Sequence, residues 1–106
     1  MRTRTIRPTF WEIDASAPAK LLLLGLSCMA DRAGRLLDRP KIIAARVFPL
    51  REEITPADVD RLLDELRDAG AVRRYQVEGV AVVEVVGFDR QPIHHREPAS
   101  ELPAFA

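Results

Sequence analysis

TPADVDRLLDELRDAGAVRRYQVEGVAVVEVVGF, residues 55–88, is the stretch whose reading decides the fold. Thr55 can accept hydrogen bonds from the free backbone N–H groups at the start of a helix. Pro56 suits the first helical position, because its missing N–H would be unpaired there anyway. Asp58 complements the positive end of the helix dipole. Val59, Leu62, Leu63, Leu66 and Ala69 then fall within one arc of the helical wheel, which predicts a helix with one buried stripe. Gly70 can take the left-handed conformation that ends a helix. The next run, residues 72–86, is rich in β-branched residues and has Glu78-Gly79 in its middle. An acidic-Gly pair of this kind favours a tight hairpin turn.

Upstream, Ser16 is placed to cap a helix over residues 17–30. Its residues Leu21, Leu22, Leu23, Leu24, Leu26, Cys28 and Met29 point in nearly every direction, with Lys20 and Ser27 between them. A helix apolar all round must be covered all round. The spacing therefore predicts a homodimer through Leu21, Leu24 and Cys28, or the N-terminal arm lying across the helix. A short strand is expected at residues 35–37. Asp38 is expected to cap a second helix over residues 39–48, with Ile43, Val47 and Phe48 inward and Lys41 and Arg46 outward. Leu22, Leu26, Ile43, Val47, Val59, Leu62, Leu66 and Val83 form the expected core.

The order helix, strand, helix, helix, strand, strand predicts an α+β fold of the winged helix-turn-helix class, with three helices, a short strand and a C-terminal β-hairpin wing. An α+β module with no role on DNA shows the same order. The expected divisions are a basic N-terminal arm at 1–15, the winged-helix domain at 16–90, and an extended Pro-containing tail at 91–106. In the arm, Phe10 and Trp11 are expected to anchor on the core, since large aromatics bury much area. The tail is expected to be ordered only where it docks.

At 106 residues the chain is one domain, large enough for a small core without metal or disulfide support. Its lone cysteine, Cys28, excludes an internal disulfide. That and the absence of a long apolar run point to a cytoplasmic protein with no membrane partner. Zero net charge hides an asymmetry. Residues 1–50 carry nine basic and four acidic side chains, or +5, and residues 51–106 carry seven and twelve, or −5. Opposed charge on one small domain steers an anionic partner to one side. It equally serves head-to-tail self-association.

Catalytic chemistry is not expected. No Gly-rich phosphate loop is present, and Asp64-Glu65 are helix neighbours whose side chains diverge. His94, His95 and Cys28 lack the spacing of a zinc site, so neither metal nor cofactor is expected. Basic residues are the candidate DNA contacts. Arg2, Arg4 and Arg7 can follow a phosphate backbone or enter a minor groove, Lys41 and Arg46 lie on the second helix, and Arg73 and Arg74 stand at the base of the wing. The outward residues of the third helix, Asp58, Asp60, Arg61, Asp64, Glu65, Arg67 and Asp68, sum to −3. That face opposes a phosphate backbone. Two functions follow: DNA binding through the arm, second helix and wing, or a protein-interaction adaptor using the Leu-rich first helix and acidic third helix.

The opening MRTRTIRPTFW resembles the start of phage and prophage replication proteins, which begin with a basic arm and a Lys- or Arg-Pro-x-Phe-Trp motif. The likeness continues through Lys20-Leu21-Leu22-Leu23-Leu24-Gly25-Leu26, Ala30-Asp31-Arg32-Ala33-Gly34-Arg35-Leu36, Asp38-Arg39-Pro40-Lys41 and Val47-Phe48-Pro49. It includes Leu62-Leu63-Asp64-Glu65-Leu66 with Ala69-Gly70 and ends with Arg73-Arg74-Tyr75-Gln76-Val77-Glu78-Gly79, Val86-Gly87-Phe88 and His95-Arg96-Glu97-Pro98-Ala99-Ser100. The resemblance implies an N-terminal winged-helix module similar to DnaD-like replisome organisers. Such modules bind DNA or self-associate during replication initiation in a bacterial host cell, with a replication or host protein as a further partner.

Overall fold

The computed structural model describes residues 1–88 and 99–105. A 3-10 helix, Pro8–Glu12, is followed by α1 (Ala17–Met29), β1 (Arg35–Leu37), α2 (Pro40–Val47), α3 (Pro56–Asp68), β2 (Val72–Val77) and β3 (Val80–Val85). The protein is α+β: three α-helices against one antiparallel sheet of order β1-β3-β2.

The elements of residues 55–88 form for local reasons. The Thr55 hydroxyl accepts from the Asp58 N–H at 3.2 Å, and the Asp58 carboxylate accepts from the Thr55 N–H at 2.9 Å. This reciprocal cap satisfies two N–H groups that the helix itself leaves unpaired. Val59, Leu63 and Leu66 turn inward from α3, while Leu62 sits half-buried at its edge. After Gly70, β2 runs out and β3 returns, with Val77 opposite Val80 as the last pair. The turn is thus two residues, Glu78 at φ 51° and Gly79 at φ 80°. Positive φ at both positions matches the right-handed twist of the flanking strands.

β3 is the central strand. Leu36 pairs with Val83, and Val72 with Val85, on the face that meets the helices. Leu22, Leu26, Ile43, Val59, Leu63, Leu66 and Val83 lie beneath, each no more than 1 % exposed. A fully buried Leu or Ile contributes about 1.5–3 kcal/mol, so these few side chains dominate the stabilisation. Val47 and Leu62, expected in the core, pack on its rim instead. Phe88 closes one end against Gly34, where a Cβ would come within 2.5 Å of the Phe88 side chain.

α1 is covered on more sides than a lone helix could be. Ser16 caps it, accepting from the Ala19 N–H, and the Ser16 hydroxyl donates to Glu65 of α3 at 2.9 Å. Asp64 and Glu65 diverge as their spacing requires, Asp64 to β2 and Glu65 to the start of α1. Residues 5–10 of the arm face Leu23, Leu24 and Ser27 across a groove of about 790 Å³. Leu21 remains 54 % exposed.

Several expectations are corrected. Asp38 does not cap α2: Arg39 stands at the cap position without a side-chain bond, and Asp38 turns to Arg74. Trp11 is not an anchor. It is 64 % exposed, and its ring stands edge-on to half-buried Phe10 at 4.9 Å, while its carbonyl accepts from Lys20. Of the expected tail, residues 99–105 dock on the sheet. His94, His95 and the end of the expected 16–90 domain lie outside the described residues.

Candidate nucleic-acid interface

Arg74 leaves the sheet on its helix-facing side and meets three carboxylates. Its Nε and one terminal nitrogen donate to both oxygens of Asp38 at 2.8 and 3.0 Å. The terminal nitrogens also donate to the Asp60 carboxylate at 2.7 Å, the Asp60 carbonyl at 3.3 Å and Asp64 at 2.8 Å. A guanidinium has five N–H donors, and five bonds occupy them here. These bonds, led by Asp38, raise the Arg74 pKa above its ordinary value against the opposing effect of burial. Arg74 therefore joins β2 to α3 and to the entry of α2, and it has no N–H left for a phosphate. Its five donors are thus all engaged within the fold.

Arg73 lies on the other face of the sheet. It pairs with Glu84 at 3.2 Å and holds the ring of Phe105 at 5.1 Å. The hairpin turn beyond it, Glu78-Gly79, carries no cation.

The arm is tied down. The Arg2 N–H donates to the Cys28 carbonyl at 2.8 Å, and its guanidinium donates to Ala30 at 2.8 Å. Arg4 donates to the carbonyls of Ser27 and Ala30 at 3.1 and 3.0 Å, and stacks over Phe88 at 4.7 Å. Carbonyls at a helix C-terminus lack intrahelical partners and carry partial negative charge, so two Arg side chains stabilise this end of α1. A flexible basic arm is not what these contacts describe. Arg7 is exposed and lines the groove between the arm and α1.

Lys41 and Arg46 are exposed on α2. They belong to a larger surface that the expected residue set missed in part. Residues 39–51, RPKIIAARVFPLR, carry four cations and no acid. Arg39 and Arg51 are exposed as well, and Arg51 pairs with Glu53 at 3.3 Å. Among the described residues, the side chains of Arg39, Lys41 and Arg46 have no hydrogen-bond or ion-pair partner. Ile42 and Leu50, 43 % and 91 % exposed, lie within the same segment. The signal was present in the sequence as a 13-residue window of one charge sign.

Of the candidate interface on α1, Leu21 is exposed, and Leu24 and Cys28 are half-buried. No three His, Cys, Asp or Glu side chains converge as a metal site among the described residues. No helix among them is long and apolar enough to cross a membrane. No protein-family model, curated protein or solved structure matches the chain. The likeness to phage replication modules thus rests on the residues quoted for it.

Proposed function

We propose that this chain is a winged-helix module of the phage or prophage replication type, which binds DNA through phosphate contacts from α2 and the loop after it. The element order, the hairpin directly after α3 and the strand order β1-β3-β2 support the winged-helix reading. One observation carries the DNA reading: the acid-free segment 39–51, with three exposed cations that have no partner among the described residues. Phosphate contacts dominate non-specific affinity and carry no base information, so sequence preference is modest. The wing contributes little, because Arg74 is consumed by carboxylates and the wing tip is acidic. The module acts as a binding protein rather than an enzyme, without cofactor, in the cytoplasm of a bacterial host, in replication initiation or its regulation.

The test is titration of duplex and single-stranded DNA at two salt concentrations. If Arg39, Lys41, Arg46 and Arg51 each meet a phosphate, log affinity falls with log salt at a slope of about −3.6 on duplex DNA. Lys41→Ala with Arg46→Ala flattens it by about 1.8. Silent changes on α2 would overturn the assignment. A second reading, a self-assembly or adaptor module, is favoured by the 54 % exposure of Leu21 beside half-buried Leu24 and Cys28. It gains if association proceeds without DNA and requires this strip or the acidic face of α3.

A further inference from the structure

The face of the sheet turned away from the helices is built like a receptor, and its occupant belongs to the chain itself. Arg35, Glu84 and Arg73 stand side by side across the three strands, in direct register. Glu84 pairs with Arg35 at 3.0 Å and with Arg73 at 3.2 Å, which fixes both guanidinium groups. Asp31, at the entry to β1, is fixed by the N–H groups of Ala33 and Arg35 at 2.9 and 3.0 Å. Residues 99–105, ASELPAF, lie over these groups. The Ser100 hydroxyl donates to Asp31. Arg35 donates to the Leu102 carbonyl at 3.2 Å, and the Tyr75 hydroxyl to the Pro103 carbonyl at 2.7 Å. The Phe105 ring meets the Tyr75 ring at 5.2 Å and the Arg73 guanidinium at 5.1 Å. Val82 faces this side and is fully buried, although it lies outside the core cluster.

We propose that this face is a docking site for a short extended peptide, and that it also takes residues 99–105 of a second copy of this chain, so that two copies exchange these segments. The site reads a hydroxyl, two backbone carbonyls and an aromatic ring, and every copy carries both the site and that ligand. The same five contacts form whether the segment comes from the same chain or from a neighbour. Exchange therefore gives up no contact, which makes it a low-cost route to a dimer. Ten residues, 89–98, separate Phe88 from Ala99 in the sequence and reach at most about 33–36 Å. That length compares with molecular extents of 37 × 35 × 26 Å. At low concentration the chain's own segment wins, because its effective concentration is roughly millimolar. The proposal does not depend on DNA binding.

A complementation experiment tests it on full-length chains, with Leu21→Glu in all of them to remove the α1 strip as an alternative interface. Phe105→Ala keeps the site and damages the ligand. Arg73→Ala with Tyr75→Phe damages the site and keeps the ligand. Circular dichroism first establishes that both variants fold. Mixed, they should form a heterodimer at least about tenfold more abundant than either homodimer, a ratio worth about 1.4 kcal/mol. Native mass spectrometry and sedimentation read it. The synthetic peptide ASELPAF should compete the heterodimer away and bind the Phe105→Ala variant alone. No heterodimer and no peptide binding would overturn the docking site. Peptide binding without heterodimer at any concentration would overturn the second copy as its occupant.

Discussion

Replacing Arg74 with Met should be among the most destabilising changes outside the apolar core. The substitution strips Asp38 of two hydrogen bonds and removes the cation shared with Asp60 and Asp64. The Asp38 side chain is only 10 % exposed, so water cannot replace what it loses. Removing one partner of a buried pair costs about 3–5 kcal/mol. Asp60 and Asp64 are 52 % and 43 % exposed and can turn to solvent, which puts the cost near the lower end, about 3 kcal/mol. Total stability of a domain is about 5–15 kcal/mol, and about 1 kcal/mol moves the Tm of a domain this size by roughly 4–8 °C. The variant should melt at least about 12 °C lower. Asp38→Asn combined with Arg74→Met should recover much of the loss, because the stranded charge is gone. Urea unfolding of wild type, single and double variants measures all three. A single variant within about 0.5 kcal/mol of wild type, or a double no better than the single, would refute the three-carboxylate clasp.

Leu66→Ala, at a fully buried position on α3, should cost about 2–5 kcal/mol in the same assay. The Thr55 N–H, then the Thr55 hydroxyl, holds the Asp58 carboxyl below its usual pKa. The cap therefore stabilises the fold above about pH 4 and loses that effect as pH falls through the depressed value. Asp58→Ala should lower Tm at neutral pH, and the difference should fade in acid. Burial, then Glu84, raises the pKa of Tyr75, the only tyrosine. The neutral phenol is the form the fold favours, so its contribution holds below about pH 10 and disappears as pH rises through the raised value. Ultraviolet titration should show a late phenol, and Phe105→Ala should bring it closer to an ordinary one. Light scattering at tens of micromolar or above should show a dimer whose share Leu21→Glu lowers, and a wild-type monomer throughout that range would remove the α1 interface.

What the sequence made legible was local. The cap at Thr55, the stop at Gly70 and the turn at Glu78-Gly79 each depend on neighbours within a few residues and formed as read, whereas of the stripe Val59, Leu62, Leu63, Leu66 and Ala69 only Val59, Leu63 and Leu66 are fully buried. β1 was legible as well. Asp38 was misread because its partner is 36 residues away. A carboxylate just before a helix has the chemistry of a cap, and nothing local reveals a guanidinium arriving from the sheet. For the same reason Arg74 read as a cation at the base of a wing. Arg2 and Arg4 read as a mobile arm because they hydrogen-bond to backbone carbonyls at the end of α1, which every residue carries and no pattern marks. The docking of residues 99–105 was hidden likewise, since Leu102 and Pro103 contribute carbonyl oxygens rather than side chains. The basic window 39–51 was legible but was divided between a helix and a loop.

Among the described residues, a sheet ordered β1-β3-β2 has two open rims, since β1 and β2 each have one neighbouring strand there. Unpaired rim amides are templates for strand-on-strand growth. Here one rim is only three residues long, and the other carries Arg73 and Arg74 in succession. Both features discourage a stranger's strand from adding on. The broad side of the sheet has a guard of its own in the row of Arg35, Glu84 and Arg73, which runs across all three strands beside Val82 and partly exposed Leu37. A chain cut back before residue 99 should therefore still fold around its helices, and the charged row should keep the bared face from stacking on another sheet.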